Sequence, residues 1–149
     1  MAMFDTRNGC EFGLALSATL SGATPAKGDW IDMKGWQSLT FTVATGAVTD
    51  AGTASGFSFE VQESDTTADA AATAVADADL LGAESDLTVT SDGDDRVYVG
   101  TIGYTGTKRY VRVVATGTTN TDAEVSVHAI KGHGSHMGEA TIDAGTAAT

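Results

Sequence analysis

The sequence predicts an all-β, single-domain chain, an antiparallel β-sandwich or jelly roll, and three observations carry that expectation. Apolar residues recur at every second position in four separate segments, the signature of strands with one buried and one exposed face. Small and β-branched side chains dominate, with Ala, Gly and Thr supplying 65 of 149 residues, and Thr suits a pleated, half-exposed surface. Gly-, Asp- and Thr-rich turns separate the segments, as in sandwiches and jelly rolls. A chain of 149 residues suits one domain.

Taken in order, the first strand places Leu14, Leu16, Ala18 and Leu20 on one face, with Ala15, Ser17 and Thr19 on the other. A short candidate follows at 30–33. Leu39, Phe41 and Val43 then alternate with Ser38, Thr40 and Thr42, and Phe57, Phe59 and Val61 alternate with Ser58, Glu60 and Gln62. Residues 66–81 are Ala-rich without alternation and read as a loop or a short helix, Thr66 being a possible cap with Asp69 three residues on. A second short candidate is 87–90. Segments 96–103 and 108–115 are apolar or aromatic on both faces, which predicts central strands whose second face a subunit or partner covers. Between them, Tyr104-Thr105-Gly106-Thr107 suits a short hairpin connection. Val125, Val127 and Ala129 complete the set, alternating with Glu124, Ser126 and His128. The expected organisation is an N-terminal arm (1–13), a sandwich (14–136) and a flexible C-terminal tail (137–149).

Charge narrows the partners. The net charge of −12 argues against nucleic acid, which is bound by Lys and Arg neutralising phosphates, and against anionic membrane. No apolar run approaches the ~18 residues that span a bilayer, and the first residues show no signal-peptide pattern. Residues 50–95 hold twelve of the 20 acids and no Lys or Arg, so the remainder is neutral. That stretch reads as a solvated, self-repelling surface, or as one aimed at a basic partner or Ca²⁺. Against it stand Lys108, Arg109 and Arg112, a basic cluster with Tyr110 among them, expected to meet the acidic surface of a neighbouring copy.

Chemical motifs are sparse. Ser135 has His133, not Gly, two residues before it, so no nucleophile elbow forms. Gly100, Gly103 and Gly106 match neither the dinucleotide fingerprint nor a P-loop. Asp77-Ala78-Asp79 begins like a calcium loop, but Leu81 and Thr88 stand at its fifth and twelfth positions, where ligands belong. Asp92-Gly93-Asp94-Asp95 offers at most a weak Ca²⁺ turn, and His128, His133 and His136 fall short of a three-ligand zinc centre. Cys10 reads as a small buried or half-buried hydrophobe. Trp30 and Trp36 are either core or edge anchors, or the exposed aromatics of a sugar-binding module. The expectation is a protein without catalytic residues, metal or cofactor.

One resemblance spans roughly residues 14–136. Gly35-Trp36-Gln37-Ser38-Leu39-Thr40-Phe41, then Phe57-Ser58-Phe59-Glu60-Val61-Gln62-Glu63-Ser64-Asp65, then Ala76-Asp77-Ala78-Asp79-Leu80-Leu81-Gly82, then Gly103-Tyr104-Thr105-Gly106-Thr107-Lys108-Arg109-Tyr110-Val111-Arg112-Val113 follow in order. This order resembles the head decoration, or cement, proteins of tailed bacteriophages. The resemblance implies a non-enzymatic virion protein, made in the bacterial host cytoplasm, that sits on the capsid surface, binds the major capsid protein lattice and self-associates, often as a trimer. Phe4 and Phe12 would anchor an arm to the shell, and Lys108, Arg109, Tyr110 and Arg112 would form a partner contact. The rival expectation is a carbohydrate- or host-surface-binding module on the virion.

Overall fold

The computed structural model describes residues 6–134 and is all-β, two antiparallel sheets packed as a β-sandwich. In chain order the elements are one helical turn, α1 (Thr6–Gly9), then β1 (Cys10–Ser21), β2 (Ala26–Lys27), β3 (Ile31–Asp32), β4 (Ser38–Asp50) and β5 (Ser58–Ser64). These are followed by β6 (Thr73–Ala74), β7 (Leu80–Leu81), β8 (Tyr98–Tyr104), β9 (Tyr110–Thr116) and β10 (Asp122–Gly132). The first sheet runs β1-β10-β4-β8-β7 and the second β2-β9-β5-β6, with β3 also pairing β9.

The core lies between the sheets and is built by the alternation read from the sequence. Leu39, Phe41 and Val43 of β4 and Val125, Val127 and Ala129 of β10 face Phe59 and Val61 of β5 and Val111, Val113 and Ala115 of β9, all buried. Phe57 and Phe59 meet edge to face at 6.1 Å between ring centroids, an arrangement aromatic quadrupoles favour.

Four expectations need correction. Leu14 is not on the core face: the β1–β10 register slips between Leu14 and Leu16, so a β-bulge at Ala15 turns Phe12 and Leu14 outward while Leu16 and Leu20 stay buried. The unpaired Ala15 carbonyl accepts the Asp29 N–H at 2.8 Å, while the Gly28 N–H reaches Val113 of β9 at 2.8 Å, so this segment joins the two sheets. Residues 104–107 make no hairpin, because β8 and β9 belong to different sheets and the link crosses between them. The Ala-rich stretch 66–81 is neither a plain loop nor an α-helix. Single 3₁₀ turns, Asp69–Ala71 and Asp77–Asp79, alternate with the two-residue strands β6 and β7. Residues 87–90 form no strand; Leu87 ends a 3₁₀ turn and Val89 makes an isolated bridge to Phe57.

The expected arm also ends sooner, since β1 begins at Cys10 and Phe12 is a strand residue paired with Ile130. Phe4, His136 and the expected tail 137–149 lie outside the described residues.

Candidate interaction surfaces

The basic cluster is the first place where geometry changes the sequence reading. Arg112 lies on the outer face of the second sheet yet is only 3 % exposed. Its Nε and Nη2 donate to Gln62 Oε1 at 3.0 and 2.9 Å, its Nη1 donates to Asp69 Oδ1 at 2.5 Å, and the Trp30 ring covers it at 4.3 Å. Gln62 is in place because it is the cross-strand partner of Arg112. Asp69 also accepts from Lys27 Nζ at 2.9 Å, and these two partners, Lys27 first, hold its carboxyl below the usual range.

Arg109 forms a two-pronged pair with Asp32, Nε to Oδ1 at 3.0 Å and Nη2 to Oδ2 at 2.8 Å, a geometry suited to its planar fork. That pairing is the main reason the Asp32 carboxyl is held low and the guanidinium is held charged. The Arg109 guanidinium also lies 4.9 Å from the Tyr110 ring. Lys108 Nζ donates to Asp65 at 2.5 Å, which raises its pKa.

Lys108, Arg109 and Arg112 are therefore not one strip on one strand face: only Arg112 belongs to β9, and each base is paired within the chain. The second face of β9 is covered by Trp30 and the Asp69 turn rather than left for a partner.

The acidic stretch likewise finds internal work. Asp92 Oδ1 accepts the Ala51 N–H at 2.7 Å, Asp95 Oδ1 the Val48 N–H at 3.0 Å, and Asp50 Oδ1 the Gly52 N–H at 2.7 Å, satisfying backbone donors at and beyond the end of β4. Glu84 Oε1 accepts the Val61 N–H at 2.6 Å, and burial pushes its carboxyl upward against that bond. Tyr104 donates to Glu63 Oε2 at 2.6 Å and accepts from the Lys108 N–H at 2.9 Å; burial, then Glu63, raises its pKa. Among the described residues no group of three or more His, Cys, Asp or Glu could hold a metal ion.

Beside Tyr104 is an open groove of about 470 Å³, walled by Met33, Lys34, Trp36, Lys108 and Arg109. Its walls are fixed. Met33 N–H bonds the Arg109 carbonyl at 2.8 Å, Trp36 N–H closes a turn on Met33 at 2.9 Å, and Gly35 in that turn has φ of +83°, a conformation suited to glycine. Trp36 is half-buried, with Lys131 Nζ 5.3 Å from its ring centroid. Neither tryptophan is a core residue.

The outer face of the first sheet is of a different character. Register places Phe12, Ile130, Thr40, Gly103 and Leu81 in one lateral row across all five strands. The next row is Leu14, His128, Thr42 and Thr101, and the third is Ser17, Ser126, Ala44 and Tyr98. None of these thirteen positions holds Asp, Glu, Lys or Arg. Phe12 (41 %), Leu14 (52 %), Leu81 (65 %) and Tyr98 (66 %) are four of the five large hydrophobic side chains exposed among the described residues, and the fifth, Val97, adjoins Tyr98. The sequence reading touched this face only through 96–103, apolar or aromatic on both sides; Leu14 read as core and Leu81 carried no surface signal.

No protein-family model matches the chain, and no curated protein matches it.

Proposed function

We propose that this protein is a non-enzymatic structural protein of a tailed-phage virion, a head decoration or cement protein that associates with itself and with the capsid lattice. One observation carries the reading: four of the five large hydrophobics exposed among the described residues gather on one sheet face, across thirteen register positions that hold no Asp, Glu, Lys or Arg. Large apolar side chains left exposed together on one face of a domain mark contacts with other proteins. The scaffold behind that face suits the task, since its ion pairs and backbone caps are made within the chain and leave a preformed surface. The ordered motifs resembling phage cement proteins supply the virion setting. Cryo-EM of particles from the encoding phage is expected to show this sandwich on the head; particles whose heads lack it would overturn the reading.

A second reading, a carbohydrate- or host-surface-binding module, is favoured by the position of Trp36 on the groove wall beside Lys34 and Tyr104. A glycan array probed with the wild type and with Trp36→Ala decides it. Binding lost in the variant supports this reading, and no binding by the wild type rejects it.

A further inference from the structure

We propose that the outer face of the first sheet is the interface between two copies of this chain, packed sheet against sheet about a two-fold axis running along β4. The inference rests on that face being a docking surface and names its occupant.

Three features point to a second copy. Electrostatics comes first. Copies carrying −12 each repel one another, and a contact centred on these thirteen positions adds no like-charged pair among them, with Glu124 at its margin beyond Ser126.

Shape comes second. A two-fold along β4 exchanges the β10 and β8 sides, so Ile130 of one copy stands over Gly103 of the other, and Tyr98 over Ser126. Large thus meets small beside the axis, Phe12 meets Leu81 at the rim, and Thr40 meets Thr40 on the axis, the self-complementarity an isologous contact needs.

Area comes third. Thirteen positions, on strands ~4.8 Å apart and rows ~6.8 Å apart, cover about 420 Å² per copy, or about 850 Å² in the pair, in the size range of weak, transient contacts. That size fits a reversible, concentration-dependent pair rather than an obligate one.

The pairing expected from sequence, basic strip on acidic loop, is the competing geometry, and salt separates the two. A charge-free contact between acidic proteins strengthens when salt screens their repulsion, whereas an ionic contact weakens.

The test is sedimentation equilibrium of the full chain from about 5 to 500 µM, in low salt and in 0.5 M NaCl, as the experiment requires. The wild type is expected to move from monomer to dimer, with a lower Kd at high salt. Leu14→Asp and Tyr98→Glu are each expected to raise Kd at least tenfold while their thermal melts stay near the wild type, both side chains being more than half exposed. Should Leu14→Asp melt early, Tyr98→Glu alone decides.

A monomer at every concentration, a trimer, or a dimer indifferent to both variants would each overturn the interface. The functional reading is scored separately, by co-sedimentation of wild type and variants with emptied heads. A monomeric protein that binds heads and loses that binding in Tyr98→Glu overturns the copy–copy contact and leaves the docking face standing. A dimer that never binds heads does the reverse.

Discussion

Replacing Arg112 with methionine tests the claim that a buried guanidinium, rather than a partner protein, covers the second sheet. Methionine keeps most of the aliphatic stem, so packing changes little and the polar interactions are what is lost. Two N–H donors converge on Gln62 Oε1, and we count them as one charge-assisted bond of about 1.5–3 kcal/mol. The contact with Trp30, with the guanidinium withdrawn from water, adds about 1–2 kcal/mol. The pair with Asp69 is counted as nothing, because that carboxylate is open to solvent and keeps Lys27. The sum is about 2.5–5 kcal/mol, a fall in Tm of roughly 5–20 °C for a domain this size. Urea and thermal unfolding followed by far-UV circular dichroism measure it. Arg112→Lys is expected to recover only part of the loss, since a point charge cannot reproduce the fork. A loss below about 1 kcal/mol for Arg112→Met would refute the reasoning, as would full recovery by lysine. Hydrogen exchange provides a local readout: amides of 69–74, tethered by Asp69, should lose protection before those of β4.

Three further predictions follow from single groups. Ionised Glu84 costs more in the folded than in the unfolded chain, a cost that builds as pH rises from the ordinary carboxyl value to the raised folded one. Glu84→Gln keeps the oxygen that accepts from Val61, so it is expected to raise stability at pH 7 and to match the wild type once pH falls below the ordinary carboxyl value; chemical denaturation at both pH values checks this. Asp32 and Asp69 have the opposite sign. Their lowered carboxyls contribute stability that is complete above the usual carboxylate pKa and lost as pH falls through their folded values, so wild-type Tm should drop steeply below about pH 4, and less steeply in Asp32→Asn. Gly106→Ala would place a methyl about 2.5 Å from the Tyr104 ring and is expected to cost about 1–3 kcal/mol, measured by urea unfolding.

The sandwich was legible because period-two runs at Leu39–Val43, Phe57–Val61 and Val125–Ala129 each fix which side chains face inward. Alternation does not say which sheet a strand joins, and so 104–107 read as a hairpin when it is a crossing between sheets. A bulge is a two-against-one event defined by the partner strand, invisible in β1 alone, and it reversed the reading of Leu14. The basic cluster was found but misassigned, since the partners of Arg112 are 43 and 50 positions away. The exposed sheet face left one local signal, the two-sided apolar run 96–103, and its other members, drawn from the remaining strands, assemble only in the register.

The place of β10 between β1 and β4 bears on how the chain is made. β1 has no ladder partner in its sheet until residues 122–132 have been synthesised, because Cys10 pairs with Gly132 and Ser21 with Asp122. An early strand must therefore wait for the last one. Folding dominated by contacts of such long separation is slow, and until β10 inserts, the edges of β1 and β4 are open to strands of other chains. Refolding yield should fall with concentration, and a chain ending before residue 122 should be held as an unclosed sheet that chaperones would have to shield.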